Sequence, residues 1–168
     1  MVSRQDLLEG LNLKSIIRAG WIQAGVDEPE SVAAHSWGMA FLASQICPEG
    51  IDRAKVIEMC VVHDLAEVVI GDITPHDGIS AAKKHRLEKE AFNSLKVLDS
   101  TRKLFEEYEE QVTVEARFTR FIDRLDMALQ AGIYESTQES GVVDLSEFKQ
   151  SVIEMAKEFG FLDFLIKS

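Results

Sequence analysis

Proline and glycine are scarce, three and ten in a chain of 168 residues. The few breakers leave long stretches uninterrupted, and within them apolar residues recur at three- and four-residue spacing rather than alternating. No apolar run approaches the roughly 18 residues that span a bilayer, so no membrane anchor is expected. The opening MVSRQDLLEGLNLKS lacks the basic start and apolar block of a secretory signal, which points to a cytoplasmic protein. Cysteine is rare too. Cys47 and Cys60 show no CxxC spacing and lie in apolar surroundings, which suits buried small hydrophobes better than a disulfide or zinc ligands. Basic residues are outnumbered, 18 against 29 acidic, for a net charge of -11. That deficit argues against a nucleic-acid polymer as partner, because such binding needs clustered Lys and Arg. An anionic substrate must then be small and be drawn in by a local cation, a metal or a specific arginine, against the field of the chain.

What is present reads as one all-α domain over residues 1–168, soluble and globular at 46% hydrophobic and 28% charged residues. Leu7, Leu8, Leu11, Ile16 and Ile17 outline a first helix ending near Ala19 and Gly20. Ser31 caps a second through about Cys47, with Val32, His35, Met39, Ala43 and Ile46 on one face. Asp52 caps a third through about Val69, and Gly71 to Gly78 is a turn-rich loop. Ser80 opens a charged helix to about Leu98, followed by a shorter acidic one ending in EEYEEQ. Thr113 caps a long helix to about Ser140, with Phe118, Phe121, Ile122, Leu125, Leu129 and Ile133 apolar. Asp144 caps a last one carrying Phe148, Val152, Met155 and Phe159. This gives a single compact bundle of about six or seven helices.

One apolar run, VVHDLAEVVIGDITP from Val61 to Pro75, contains His63, Asp64, Glu67 and Asp72. An unpartnered buried charge costs several kcal/mol, so these groups must be paired, hydrogen-bonded or bound to a metal. His35 lies on the buried stripe of its helix between Val32 and Met39, and Asp123 adjoins Ile122. Singly, each could be a satisfied core residue. Together, neutral imidazole nitrogen and carboxylate oxygen from facing helices form a donor set suited to Mn, Fe, Co or Zn.

In the order His35, His63-Asp64, Asp123, the chain resembles the H…HD…D signature of the HD-domain metal-dependent phosphohydrolases. HDLAEVVIGDITP, KKHRLEKEA, EEYEEQ and RFIDRLDMALQAGIYE extend the likeness over residues 7–135 to the small members that act as nucleoside 5'-monophosphatases. The resemblance implies a helical HD domain with its metal-binding core over about 31–130, a homodimer, and a phosphoric monoester hydrolase of the 5'-nucleotidase or 5'-deoxynucleotidase type. It implies one divalent ion per chain (Mn, Co, Fe, Ni or Zn) held by His35, His63, Asp64 and Asp123. Glu67 and Asp72 match catalytic carboxylates, Arg18 an arginine that contacts substrate phosphate, and Trp21 a tryptophan near the sugar, set off from Arg18 by inserted Ala19 and Gly20. In the expected chemistry a metal-activated water attacks phosphorus, Asp72 positions that water, and Glu67 moves the proton. Asp126 is expected to back a ligand or face solvent, His76 to be an exposed loop residue, and His85 has no assigned role. Two alternatives remain open: an HD phosphohydrolase acting on another phosphorylated small molecule, such as a cyclic nucleotide or nucleotide polyphosphate, and a noncatalytic binding protein stapled by its metal. The Phe159, Phe161, Phe164 tail could bury against a partner or its own core.

Overall fold

The computed structural model describes residues 1–137 and 145–163. Those residues form helices α1 (Arg4–Leu11), α2 (Ala19–Gln23), α3 (Val32–Ile46), α4 (Arg53–Val62), α5 (Glu67–Ile70), α6 (Ala81–Ser94), α7 (Asp99–Glu110), α8 (Val114–Thr137) and α9 (Ser146–Phe159). Two single 3₁₀ turns, Asn12–Ser15 and Pro75–Asp77, join them. The architecture is all-α, as expected.

Capping chemistry explains most of the boundaries. Ser31, Asp52 and Ser80 each accept a backbone N–H from three residues on, satisfying a donor that the first turn leaves orphaned. Thr113 does the same for Ala116 at the start of α8. At the other end of α7, Gln111 takes a left-handed conformation and stops the helix. Asp144, expected to cap the last helix, and Phe164 lie outside the described residues.

Two expected helices are divided. The first ends at Leu11; Ile16 and Arg18 are extended instead and pair with the start of α3, through Arg18 N–H to Glu30 O (3.0 Å) and Val32 N–H to Ile16 O (2.8 Å). These long-range bonds replace the local helical ones and carry Arg18 to the interior. The third ends at Val62 rather than near Val69, and residues 63–66 turn before α5 begins. No glycine or proline marks that break.

The main core lies between α3, α4, α8 and α9, where Met39, Val56, Cys60, Phe118, Phe121, Ile122, Leu125, Val152 and Ala156 are buried. Phe159 and Phe161 pack on Phe118 and Phe121, so this part of the tail covers its own core. A second cluster joins α5, α6 and α7 through Ala66, Phe92 and Phe105. The apolar stripe of α8 turns further than expected: Ala128, Ala131 and Tyr134 are buried, whereas Leu129 and Ile133 face outward. Leu7, Leu8 and Leu11 of α1 are likewise exposed.

Candidate active site

α3, α4 and α8 meet at a knot of buried polar groups. His35, on the inner face of α3, is fully buried; its Nδ1 donates to Asp126 Oδ2 (2.7 Å) and its Nε2 lies 3.2 Å from Asp123 Oδ1. His63 begins the turn after α4, where its Nδ1 donates to Cys60 O (3.0 Å) and its Nε2 lies 3.0 Å from Asp64 Oδ2. The turn matters geometrically. Adjacent residues on a helix diverge by about 100 degrees, and leaving the helix at His63 allows both side chains to converge.

The tautomers follow from the partners. A carbonyl or a carboxylate only accepts, so each Nδ1 must carry the proton, and a neutral ring then turns a bare Nε2 toward a carboxylate oxygen. Neither Nε2 has a partner of hydrogen-bonding geometry, and both are buried. Two lone-pair nitrogens facing two carboxylates form a set that a cation satisfies and that nothing else among the described residues does. The ligand atoms of His35, His63 and Asp64 lie within 4.8 Å of one another, a spacing that one ion can bridge. Glu30, His35 and Asp126 form a second such group, but there the Nδ1 proton is already given to Asp126 and Glu30 accepts from Trp21 Nε1 at 3.1 Å. The first group is therefore the candidate metal site.

Electrostatics agree. Burial and the Arg18 charge oppose a proton on His35, yet Asp123 and Asp126 overcome both and lift its pKa to about 9, so without a cation the ring takes a second proton at Nε2, which a bound ion would replace. Burial also works against charge on Asp64 and Asp123, but the histidines beside them hold both carboxyls far below the ordinary range. The pocket thus demands positive charge at its centre. Arg18 supplies one at the edge, 3.5 Å from Asp64, and stays charged despite burial because Asp64, Asp72 and Asp123 surround it.

Asp72 follows Gly71, whose φ of 74° and ψ of 172° are essentially reserved for glycine. The Asp72 carboxylate accepts the Ala19 N–H (2.8 Å), Thr74 donates to Gln23 (2.9 Å) and Lys84 donates to Ile73 O (2.7 Å). The loop is thereby fixed on both sides. Glu67, on the first turn of α5, is buried with Oε2 unpartnered; burial and the nearby Asp64 and Asp72 push its pKa far above the carboxylate range. A buried carboxyl that keeps its proton at neutral pH is a proton donor.

Arg18, His63, Asp64, Glu67, Asp72 and Asp123, but not the fully buried His35, line one cavity of about 930 Å³, a size that holds a nucleotide-scale ligand. Trp21 borders it but is only 1% exposed, packed against Tyr134 and Phe148, with its N–H given to Glu30. It presents an apolar wall. His76 and His85 reach the rim, both exposed, and His85 is paired with Glu109 at 2.6 Å. Sequence reasoning left Tyr108, Arg120 and Arg124 out of the site; their only signal was position, one turn or less from Asp123 for the two arginines.

The model of the HD-domain family matches residues 11–160. The chain belongs to the HD-domain family. Among its HD-domain relatives is the 5'-deoxynucleotidase hdd1 of Schizosaccharomyces pombe, 37% identical over 146 residues, covering 81% of this chain and 73% of that protein. The human 5'-deoxynucleotidase HDDC2 is 39% identical over 132 residues, covering 75% of this chain and 65% of that protein. This HD-domain chain therefore spans about two thirds of the length of that relative. Among solved structures, the PH0347 protein of Pyrococcus horikoshii OT3 superposes with a TM-score of 0.80 at 36% identity, over 98% of this chain and 97% of that one. Among the described residues, no helix is long and apolar enough to cross a membrane.

Proposed function

We propose that this HD-domain protein is a metal-dependent phosphohydrolase that releases phosphate from nucleoside or deoxynucleoside 5'-monophosphates. The observation that carries the reading is the pair of buried imidazole Nε2 atoms without a hydrogen-bond partner, each facing a carboxylate, with His63, Asp64, Asp123 and the unpartnered Glu67 carboxyl on the wall of one cavity. Relatives named as 5'-deoxynucleotidases support the substrate class.

His35, His63, Asp64 and Asp123 would hold one divalent ion, with Mn, Co, Fe, Ni or Zn all compatible with a nitrogen and oxygen donor set. Such an ion supplies positive charge at phosphorus and lowers the pKa of a water. The chain supplies the rest. Arg18 neutralises a nonbridging phosphate oxygen through its planar fork of donors. Asp72, locked by the Ala19 N–H, orients the attacking water. Glu67 delivers its proton to the departing 5'-oxygen, which leaves as a neutral hydroxyl rather than an alkoxide. Trp21 packs beside the sugar as a wall, so its contribution to sugar choice is steric. A purely structural ion would need neither the buried Glu67 nor the tethered Asp72, which disfavours the staple reading.

We read residues 1–168 as one HD domain with its metal-binding core at about 31–130, working in the cytoplasm as a homodimer. The stacked, exposed Trp37 and Phe41 on α3 supply an apolar surface for the second copy. Light scattering reads the oligomeric state. The deciding experiment is phosphate release from ribo- and deoxyribonucleoside 5'- and 3'-monophosphates after metal stripping and re-addition, beside Glu67→Gln. Metal-dependent release from the 5' series, lost in the variant, is the expected result; no release by metal-loaded protein sinks the reading.

A further inference from the structure

Along α8, the metal ligand Asp123 stands between two guanidinium groups. Arg18 reaches across to Met127, one turn beyond Asp123, with its Nη2 3.1 Å from the sulfur. Arg120 sits one turn before Asp123 on the same helix. Positions 120 and 127 are about 10 Å apart along the axis at about 1.5 Å per residue, with Asp123 between them. Arg18, Arg120 and Asp123 all line the same cavity.

The two arginines differ in their partners. Arg18 is paired with Asp64. Among the described residues no carboxylate lies within 4.0 Å of Arg120, and its Nε is buried without a partner. Its guanidinium carbon lies instead 5.6 Å from the centre of the Tyr108 ring, and that ring packs edge-on to His63 at 5.3 Å. In a chain with 29 acidic residues against 18 basic, a partly buried arginine left without a carboxylate stands out. Its neighbours on the rim are paired: Lys84 with Glu88, His85 with Glu109, and Arg124 with Asp123. An aromatic face steadies a cation while using none of its in-plane N–H donors. The planar fork is thus left for a ligand with several anionic oxygens, the recognition chemistry of phosphate.

We propose that Arg120, steadied over Tyr108, is a phosphate-binding residue that grips the substrate's phosphoryl group from the side of Asp123 opposite Arg18. Its role in turnover rests on the hydrolase reading above, whereas its ligand, a phosphate dianion either free or esterified, does not. Two cations flanking the metal centre would offset the repulsion a dianion meets on approaching a chain of net charge -11.

The test compares metal-loaded wild-type protein with R120M and R120Q, which remove the charge, and R120K, which keeps it. The readouts are KM for a 5'-monophosphate and the inhibition constant of inorganic phosphate, with metal content and melting temperature measured in parallel. A charge-assisted hydrogen bond of ordinary strength predicts a loss of roughly 10- to 100-fold in both constants for the neutral variants. A loss of at least fivefold at unchanged metal content, reduced in R120K, supports the assignment. A smaller loss, or an R120K as weak as the neutral variants, overturns it. R120Q carries the comparison if R120M does not fold. Absence of turnover by wild type would defeat the hydrolase reading alone, because calorimetric titration with inorganic phosphate still tests Arg120. Equal phosphate affinity in wild type and R120M, or no binding by either, would then overturn the inference.

Discussion

At the scale of single residues, Glu67 is held in a state that suits its chemistry better than its stability. Its folded pKa lies above the unfolded value near 4.5, so between that pH and the folded pKa the unfolded chain releases a proton that the folded one retains. Stability of the metal-free protein therefore falls as pH rises through this window, by up to about 1.4 kcal/mol per pH unit from this group. Glu67→Gln should flatten that slope and raise the metal-free melting temperature at pH 8, while lowering kcat by roughly 10²- to 10⁴-fold if Glu67 is the general acid. Melting curves from pH 5 to 9 and single-substrate kinetics check the two halves separately. Asp126 would act one step behind the proposed ion, since its contact with Nδ1 leaves His35 Nε2 as the nitrogen turned toward Asp123. Asp126→Asn should weaken metal affinity roughly 10- to 100-fold with the fold retained, as measured by competition with a chelating dye. Gly38→Ala should act in the same direction, because a Cβ there would collide with Asp126 Oδ1.

At the scale of elements, the segment from α4 through the loop after α5 places His63, Asp64 and Asp72 outside regular helix, with Glu67 on the first turn of α5 between them. Gly71 sits in a backbone region that costs other residues about 1 to 3 kcal/mol. Gly71→Ala should destabilise by about that amount in urea titrations and reduce kcat as well, by moving Asp72 off the Ala19 N–H. A loss of stability without loss of kcat would separate the bend from the site. The caps at Ser31, Asp52 and Ser80 were readable in the sequence because they depend on side-chain acceptors three residues from their backbone N–H donors. His35, His63 and Asp123 were readable because a polar residue on an apolar stripe is conspicuous. The break at residues 63–66 was not, since no glycine or proline announces it and the convergence of His63 and Asp64 exists only with α3 and α8 in place. Ile16 to Arg18 misled for the same reason, their local helical spacing being overridden by bonds to Glu30 and Val32. Arg120 carried no pattern of its own, because its meaning lies in the carboxylate it lacks.

At the scale of the whole molecule, the proposed ligands come from α3, the turn after α4 and α8, so binding an ion should tie the principal core helices together and strengthen the entire fold. An ion present at a hundredfold excess over its Kd adds about 2.7 kcal/mol, which for a chain of this size raises the melting temperature by roughly 5 to 10 °C. Chelation followed by re-addition, monitored by calorimetry, should lower and then restore it; an unchanged melting temperature would mean that the ion does not bridge these helices. The two tryptophans also stand at opposite extremes, Trp21 sealed at 1% exposure beside the cavity and Trp37 open at 70% on the outer face of α3. The native protein thus contains two optical reporters of different colour: a shielded emitter that shifts when the pocket wall opens, and a water-exposed emitter that a dissolved quencher reaches first and that a second copy would shade.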